Sequence, residues 1–113
     1  MRKHARSNFS ALPLGVVLVF ALAFSPAPAR GDDAAATFKA KCSVCHGVDG
    51  SGNTPAGKAV KAQDLRVPEI QSKSDAELVT IITDGKSKMP SFKSSLSADQ
   101  IKGLVAHIRS LKK

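Results

Sequence analysis

The 113-residue chain contains no tryptophan and no tyrosine, and only five phenylalanines and two cysteines. Phe9, Phe20 and Phe24 fall near the start, which leaves Phe38 and Phe92 as the only phenyl rings for the remainder. Two cysteines exclude a multi-disulfide scaffold, and a bridge between Cys42 and Cys45 would close too short a loop to stabilise much. Alternation of apolar and polar residues long enough for a strand is absent, which argues against a sheet. A membrane-length apolar segment is absent too: the run from Ala11 to Phe24 has 14 residues and contains Pro13, short of the roughly 18–20 that span a bilayer. Acid is scarce, with 9 Asp and Glu against 17 Lys and Arg and a formal net charge of +8.

The opening stretch reads as a targeting device. Arg2, Lys3 and Arg6 precede the apolar run without any acid, and Ala27 and Ala29 follow it with the small-x-small spacing of a cleavage site. We expect residues 1–29 to be a secretory signal peptide and residues 30–113 to be the mature domain, located in the periplasm. The run carries neither a twin-arginine pair nor a lipidatable cysteine, so the general export route is expected. The alternative is a retained anchor. Without Arg2, Lys3 and Arg6, the mature chain keeps 14 basic against 9 acidic residues in 84 positions. A single domain of that size buries only about 60% of its unfolded surface, and such domains commonly lean on a disulfide, a metal or a cofactor.

Helices joined by polar loops account for the mature chain, an all-α reading. The first is expected to begin near Asp32 or Asp33 and to set Ala35, Phe38 and Cys42 on one face. GVDGSGNTPAGKA is expected to be loop, and the segment from Ala59 to Lys73 to hold at most a short helical turn. Ser74 with Glu77 and Ser97 with Gln100 are capping-box pairs. The first opens a helix with the stripe Leu78, Ile81 and Ile82, stopped by Gly85. The second opens one with Ile101, Leu104, Val105, Ile108 and Leu111 on one face.

Cys42-Ser-Val-Cys45-His46 admits three chemistries. A thioredoxin-type redox pair wants a preceding strand, which is lacking. Structural zinc wants four ligands in a tetrahedron; the adjacent pair Cys45 and His46, with only His107 elsewhere in the mature chain, serves that poorly. Covalent haem fits best. Each thiol adds to one vinyl group and the next imidazole binds the iron. Export agrees with this, and haem also supplies the apolar bulk that the chain lacks. For the iron's other position the candidates are Met89, in the loop GKSKMP, and His107, inside the last helix. Core methionines favour apolar faces over Lys/Ser loops, and Pro90 keeps Met89 extended, so Met89 is preferred. GNTPAGKA approaches a phosphate-binding loop, but Ala59 supplies no hydroxyl and no strand leads into it.

Phe38-x-x-x-Cys42-x-x-Cys45-His46-Gly47, then Ile82-x-x-Gly85-x-x-x-Met89-Pro90, then IKGLVAHIRSL together resemble a small class I cytochrome c. The pattern is similar to short bacterial mono-haem cytochromes akin to cytochrome c6 and to the cytochrome c domains of cbb3-type oxidases. The resemblance implies a cytochrome c fold with crossed N- and C-terminal helices around one haem c, attached through Cys42 and Cys45 with His46 and Met89 as axial ligands. It also implies that a backbone carbonyl near Pro55 accepts the His46 ring N–H and that Leu65 packs on the haem. Ala34, Phe38, Leu104 and His107 are expected at the helix crossing, where the family usually has an aromatic in place of His107.

The function expected is one-electron transfer between redox protein partners, without an enzymatic activity, because His/Met ligation leaves no open position on the iron. Lys41, Lys58, Lys61, Lys86, Lys88 and Lys93 are either a docking ring for acidic partner surfaces or an ordinary solvated surface. A monomer is expected, with no nucleic-acid partner and no stable membrane insertion once the signal is removed. Two rivals stay open: a five-coordinate haem protein for gas sensing or peroxide chemistry, and a tethered subunit of an oxidase or dehydrogenase.

Overall fold

The computed structural model describes residues 31–113, together with Gly15 and Ala21. The segment read as a signal peptide, residues 1–29, otherwise lies outside the described residues. Six helices follow in order among the described residues: α1 (Gly31–Lys41), α2 (Ser43–His46), α3 (Pro55–Val60), α4 (Pro68–Gln71), α5 (Asp75–Asp84) and α6 (Ala98–Ser110). Among the described residues the only strand-type pairing is one bridge between Lys86 and Met89. No helix among them is long and apolar enough to cross a membrane.

The long helices follow from local chemistry. An alanine-rich stretch favours α1, and Lys39 and Lys41 in its last turn suit the negative end of the helix dipole. It begins at Gly31, so Asp32 and Asp33, expected as caps, instead lie in its first turn. Both capping boxes form completely. Ser74 and Ser97 accept from the N–H groups of Glu77 and Gln100, whose side chains accept in return from the serine N–H groups.

The segment expected as continuous loop differs. From Pro55 it is helical, because Thr54 caps α3 by accepting from the Gly57 N–H at 2.9 Å and Pro55 fits the first helical position. Val67-Pro68 starts α4 in a similar way, though without a side-chain cap. Lys61, at φ +56°, ends α3 in the left-handed region and turns the chain back.

The core collects one face of each long helix: Phe38 from α1, Leu78 and Ile82 from α5, and Ile101, Leu104, Val105 and Ile108 from α6, with Leu65, Ile70 and Leu96 from shorter segments. Phe38 and Leu104 are the largest fully buried side chains, each contributing roughly 1.5–3 kcal/mol through burial. α1 crosses α6 with Gly103 facing Ala34: a β-carbon at Gly103 would stand 3.5 Å from Cβ of Ala34, in ordinary van der Waals contact. One turn along, the Phe38 and His107 rings meet at 4.8 Å between centroids, tilted by 47°. A histidine therefore takes the aromatic place at the crossing.

Candidate functional site

α1 ends just before Cys42, whose N–H still donates to the Phe38 carbonyl at 2.9 Å, and one further turn, α2, carries Val44, Cys45 and His46. The turn is clamped from outside by α3 and the loop before it. The Thr54 hydroxyl shares its one proton between the carbonyls of Val44 (2.7 Å) and Cys45 (3.1 Å) while accepting from Gly57. The Gly52 N–H donates to the His46 carbonyl at 2.6 Å. Gly57 must be glycine, since a β-carbon there would overlap the Cys45 carbonyl oxygen and stand 2.5 Å from that of Gly52. The His46 ring is held in turn. Its Nδ1 lies 2.9 Å from the Gln63 carbonyl oxygen. A carbonyl only accepts, so Nδ1 carries the proton and Nε2 keeps a free lone pair for a metal.

The acceptor expected near Pro55 is therefore Gln63. Pro55 opens α3, and helix geometry aims its carbonyl along the helix axis. The chain reverses at Lys61 and returns the Gln63 carbonyl to the imidazole. Nothing in the sequence marks that acceptor, because every residue except one in a helix ladder offers the same backbone oxygen.

Met89 arrives on a different device. After α5 the chain makes a tight turn in which Lys86 N–H donates to the Met89 carbonyl (3.1 Å) and Met89 N–H to the Lys86 carbonyl (2.9 Å). Gly85, at φ +78°, permits it; a β-carbon there would sit 2.7 Å from the Met89 carbonyl oxygen. The strand of chain after Met89 satisfies the end of α5: Phe92 N–H donates to Ile82, Lys93 N–H to Thr83, and the Ser91 hydroxyl to Thr83 at 2.6 Å.

Cys42, Cys45, His46 and Met89 all line one cavity of about 470 Å³, within the roughly 300–1,000 Å³ typical of cofactor pockets. Leu65, Ile70, Leu78, Ile82, Phe92 and Ile108 supply its apolar wall. Two free thiols, an imidazole with a free Nε2, a thioether and an apolar lining form a donor set that fits haem. They suit neither rival reading of the cysteine pair. Burial pushes the Cys42 thiol up to about 11, Lys41 only partly opposing it, whereas a reactive redox pair has a lowered thiol pKa. Among the described residues no cluster of His, Cys, Asp and Glu could hold a metal ion by itself. His107 stays with Phe38 at the crossing and does not line the cavity.

Of the six lysines named from sequence, Lys41, Lys61, Lys86 and Lys88 line the cavity's rim, and Lys58 and Lys93 do not. Lys73, not foreseen, joins them, and Glu69 is the one acidic residue in the lining. Lys73 follows α4, whose placement was not legible before the fold was known.

A family model described as "Cytochrome C oxidase, cbb3-type, subunit III" matches residues 29–108. The chain is 35% identical over 103 residues to cytochrome c6 of Nostoc sp. (strain PCC 7120 / SAG 25.82 / UTEX 2576), covering 88% of each sequence. It is 34% identical over 95 residues to cytochrome c6 of Rippkaea orientalis (strain PCC 8801 / RF-1), covering 82% of this chain and 83% of that one. Among solved structures, the KustC0563 c-type cytochrome superposes with a TM-score of 0.66 at 32% identity, covering 71% of this chain and 98% of the other. With an all-helical fold, a donor set in one apolar cavity that fits haem, and these relatives, the chain belongs to the small class I cytochromes c.

Proposed function

We propose that the protein is a mono-haem one-electron carrier working outside the cytoplasm, its haem iron closed between His46 and Met89. The observation that carries this reading is the meeting of Cys42, Cys45, His46 and Met89 in one apolar cavity. Cys42 and Cys45 hold the haem by thioether bonds. Haem supplies an iron that cycles between ferric and ferrous states, and the chain's residues set its environment. Gln63 orients the His46 ring, the thioether of Met89 favours the ferrous state relative to a second imidazole, and the aliphatic wall disfavours the extra ferric charge. The reduction potential is expected to be positive. His46 and Met89 would hold the iron together and leave it no site for a substrate, so electron transfer without an enzymatic activity is the chemistry expected.

Redox partners are expected to dock at the cavity's rim. Lys41, Lys61, Lys73, Lys86 and Lys88 give it one sign of charge, opposed only by Glu69, which steers an acidic surface toward the haem edge. Val44, 65% exposed between the two cysteines, offers an apolar contact beside that charge. The carrier works as a monomer in the periplasm after removal of residues 1–29, and nucleic acid is not a partner.

The test is intact mass of the protein exported from a host that attaches haem, followed by a redox titration. One covalent haem on a chain starting at Arg30, lost on Cys42→Ala with Cys45→Ala and titrating as a single one-electron couple, is expected. A chain retaining its first 29 residues would point to a tethered subunit, and a protein without covalent haem would overturn the reading.

A further inference from the structure

Two of the residues that wall the cavity, Leu65 and Ile108, come from segments far apart in sequence: the loop before α4 and the last helix. One side chain behind them joins the two. The Gln71 amide nitrogen donates both its protons, one to the Leu65 carbonyl at 2.7 Å and one to the Ile108 carbonyl at 2.9 Å. Gln71 does not line the cavity. Its own carbonyl accepts from the Arg109 guanidinium at 2.8 Å, which also binds the Lys73 carbonyl and pairs with Asp75 at 2.9 Å. The glutamine is therefore fixed at its backbone as well as its tip, between α4 and α6.

The two carbonyls depend on it unequally. That of Ile108 also accepts from the Leu111 N–H at 3.1 Å, whereas that of Leu65 has, among the described residues, Gln71 as its sole partner. Leu65 is buried, with 8% of its surface exposed. If the amide were removed, the Leu65 carbonyl would need another donor, and water entering from behind the wall would serve. Water at that wall raises the local dielectric, which stabilises a ferric haem more than a ferrous one.

We propose that Gln71 is a positioning residue for the haem pocket: by tying Leu65 to Ile108 it keeps that wall closed and dry, and so raises the reduction potential. This rests on the haem assignment above but not on the identity of the second axial ligand, because a dry wall acts on the iron's charge whichever group completes its coordination.

The test measures potential and melting temperature together in holoprotein variants. Gln71→Met keeps the length and removes both donors; Gln71→Asn keeps an amide too short to span the two carbonyls. Ser97→Ala, which removes the cap of α6 away from the cavity, is the control for lost stability alone. Gln71→Met is expected to shift the one-electron potential downward, each tenfold loss of preference for the ferrous state reading as 59 mV. Gln71→Asn is expected to shift it the same way, while Ser97→Ala lowers the melting temperature at unchanged potential. An unchanged potential in both Gln71 variants, or an equal shift in Ser97→Ala, would overturn the proposal. Amide exchange in the wild type tests the bridge even where the variants do not fold. The Gln71 side-chain amide protons are expected to exchange at least about tenfold more slowly than those of Gln100, whose carbonyl rather than amide is used in its cap. Equal exchange would overturn the bridge. A Met89-independent spectrum with a Gln71-dependent potential would sink the ligand assignment and leave this proposal standing.

Discussion

The segment that carries His46 and the segment that carries Met89 serve one cavity but are built on different principles. Around His46, two close approaches of backbone to backbone, Gly57 against Cys45 and Gly52 against His46, fix the turn, and the Gln63 carbonyl fixes the imidazole. Thr54 and the Arg66–Asp64 ion pair brace the surrounding loops. Around Met89 the chain forms a single tight turn whose tip, residues 86–88, is exposed, with Ser87 at φ +53°; its anchors are the end of α5 and the packing of Met89 on the core. Among the described residues no ion pair braces that turn. A histidine whose ring must be oriented needs a rigid surround; a flexible thioether reaches its place from a simpler loop.

The sharpest way to break this contrast is to remove the space that the His46 segment depends on. Gly57→Ala is expected to cost at least about 3 kcal/mol, since backbone rather than a side-chain tip stands in the way. It should sharply reduce the yield of haem-bearing protein in export cultures. Gly85→Ala, on the other segment, combines a left-handed φ with a 2.7 Å approach to the Met89 carbonyl. An expected loss of about 1–3 kcal/mol, seen in denaturant titration, should come with normal haem attachment. If the two variants lose haem equally, the contrast fails.

Thr54→Val removes the cap of α3 and the hydroxyl's bonds to Val44 and Cys45, at about 1–2 kcal/mol. Thr54→Ser should restore most of it by the same titration. The smallest effect is one of pH. Hydrogen bonds from Arg66 hold the Asp64 carboxyl down at about 2, below the roughly 3.9 of an unfolded aspartate. A depressed carboxylate stabilises the fold fully above the unfolded value, and that stabilisation is lost as pH falls through about 4 towards 2. Melting temperature followed over that range should decline less in Asp64→Asn than in the wild type. An identical decline would show that the ion pair contributes nothing to the His46 segment.

Much of this was legible in the sequence because it rests on short-range chemistry. The two capping boxes announce α5 and α6 and their apolar stripes, and the cysteine-histidine spacing marks the turn that lines the cavity. Met89 stood out because it lies in a Lys/Ser loop rather than on an apolar helix face, although its side chain does pack against the core. What escaped notice depends on the path of the chain in space. α3 was hidden among glycines although Thr54-Pro55 marks its start. The oxygen that orients His46 comes from Gln63 because of a left-handed turn at Lys61, which no residue type there predicts. Gln71 and Lys73 acquire their places only once α4 is set against α6.

The central claim, an iron closed between His46 and Met89, is tested most directly by absorption spectra of the exported protein. They would be recorded ferric, ferrous and ferrous with carbon monoxide, for wild type and Met89→Ala. The account predicts a low-spin wild type that shows the weak far-red sulfur–iron band and binds little carbon monoxide, and a variant that loses the band and binds carbon monoxide readily. A high-spin wild type, or one that takes up carbon monoxide as readily as Met89→Ala, would contradict it and turn the reading to gas sensing or peroxide chemistry.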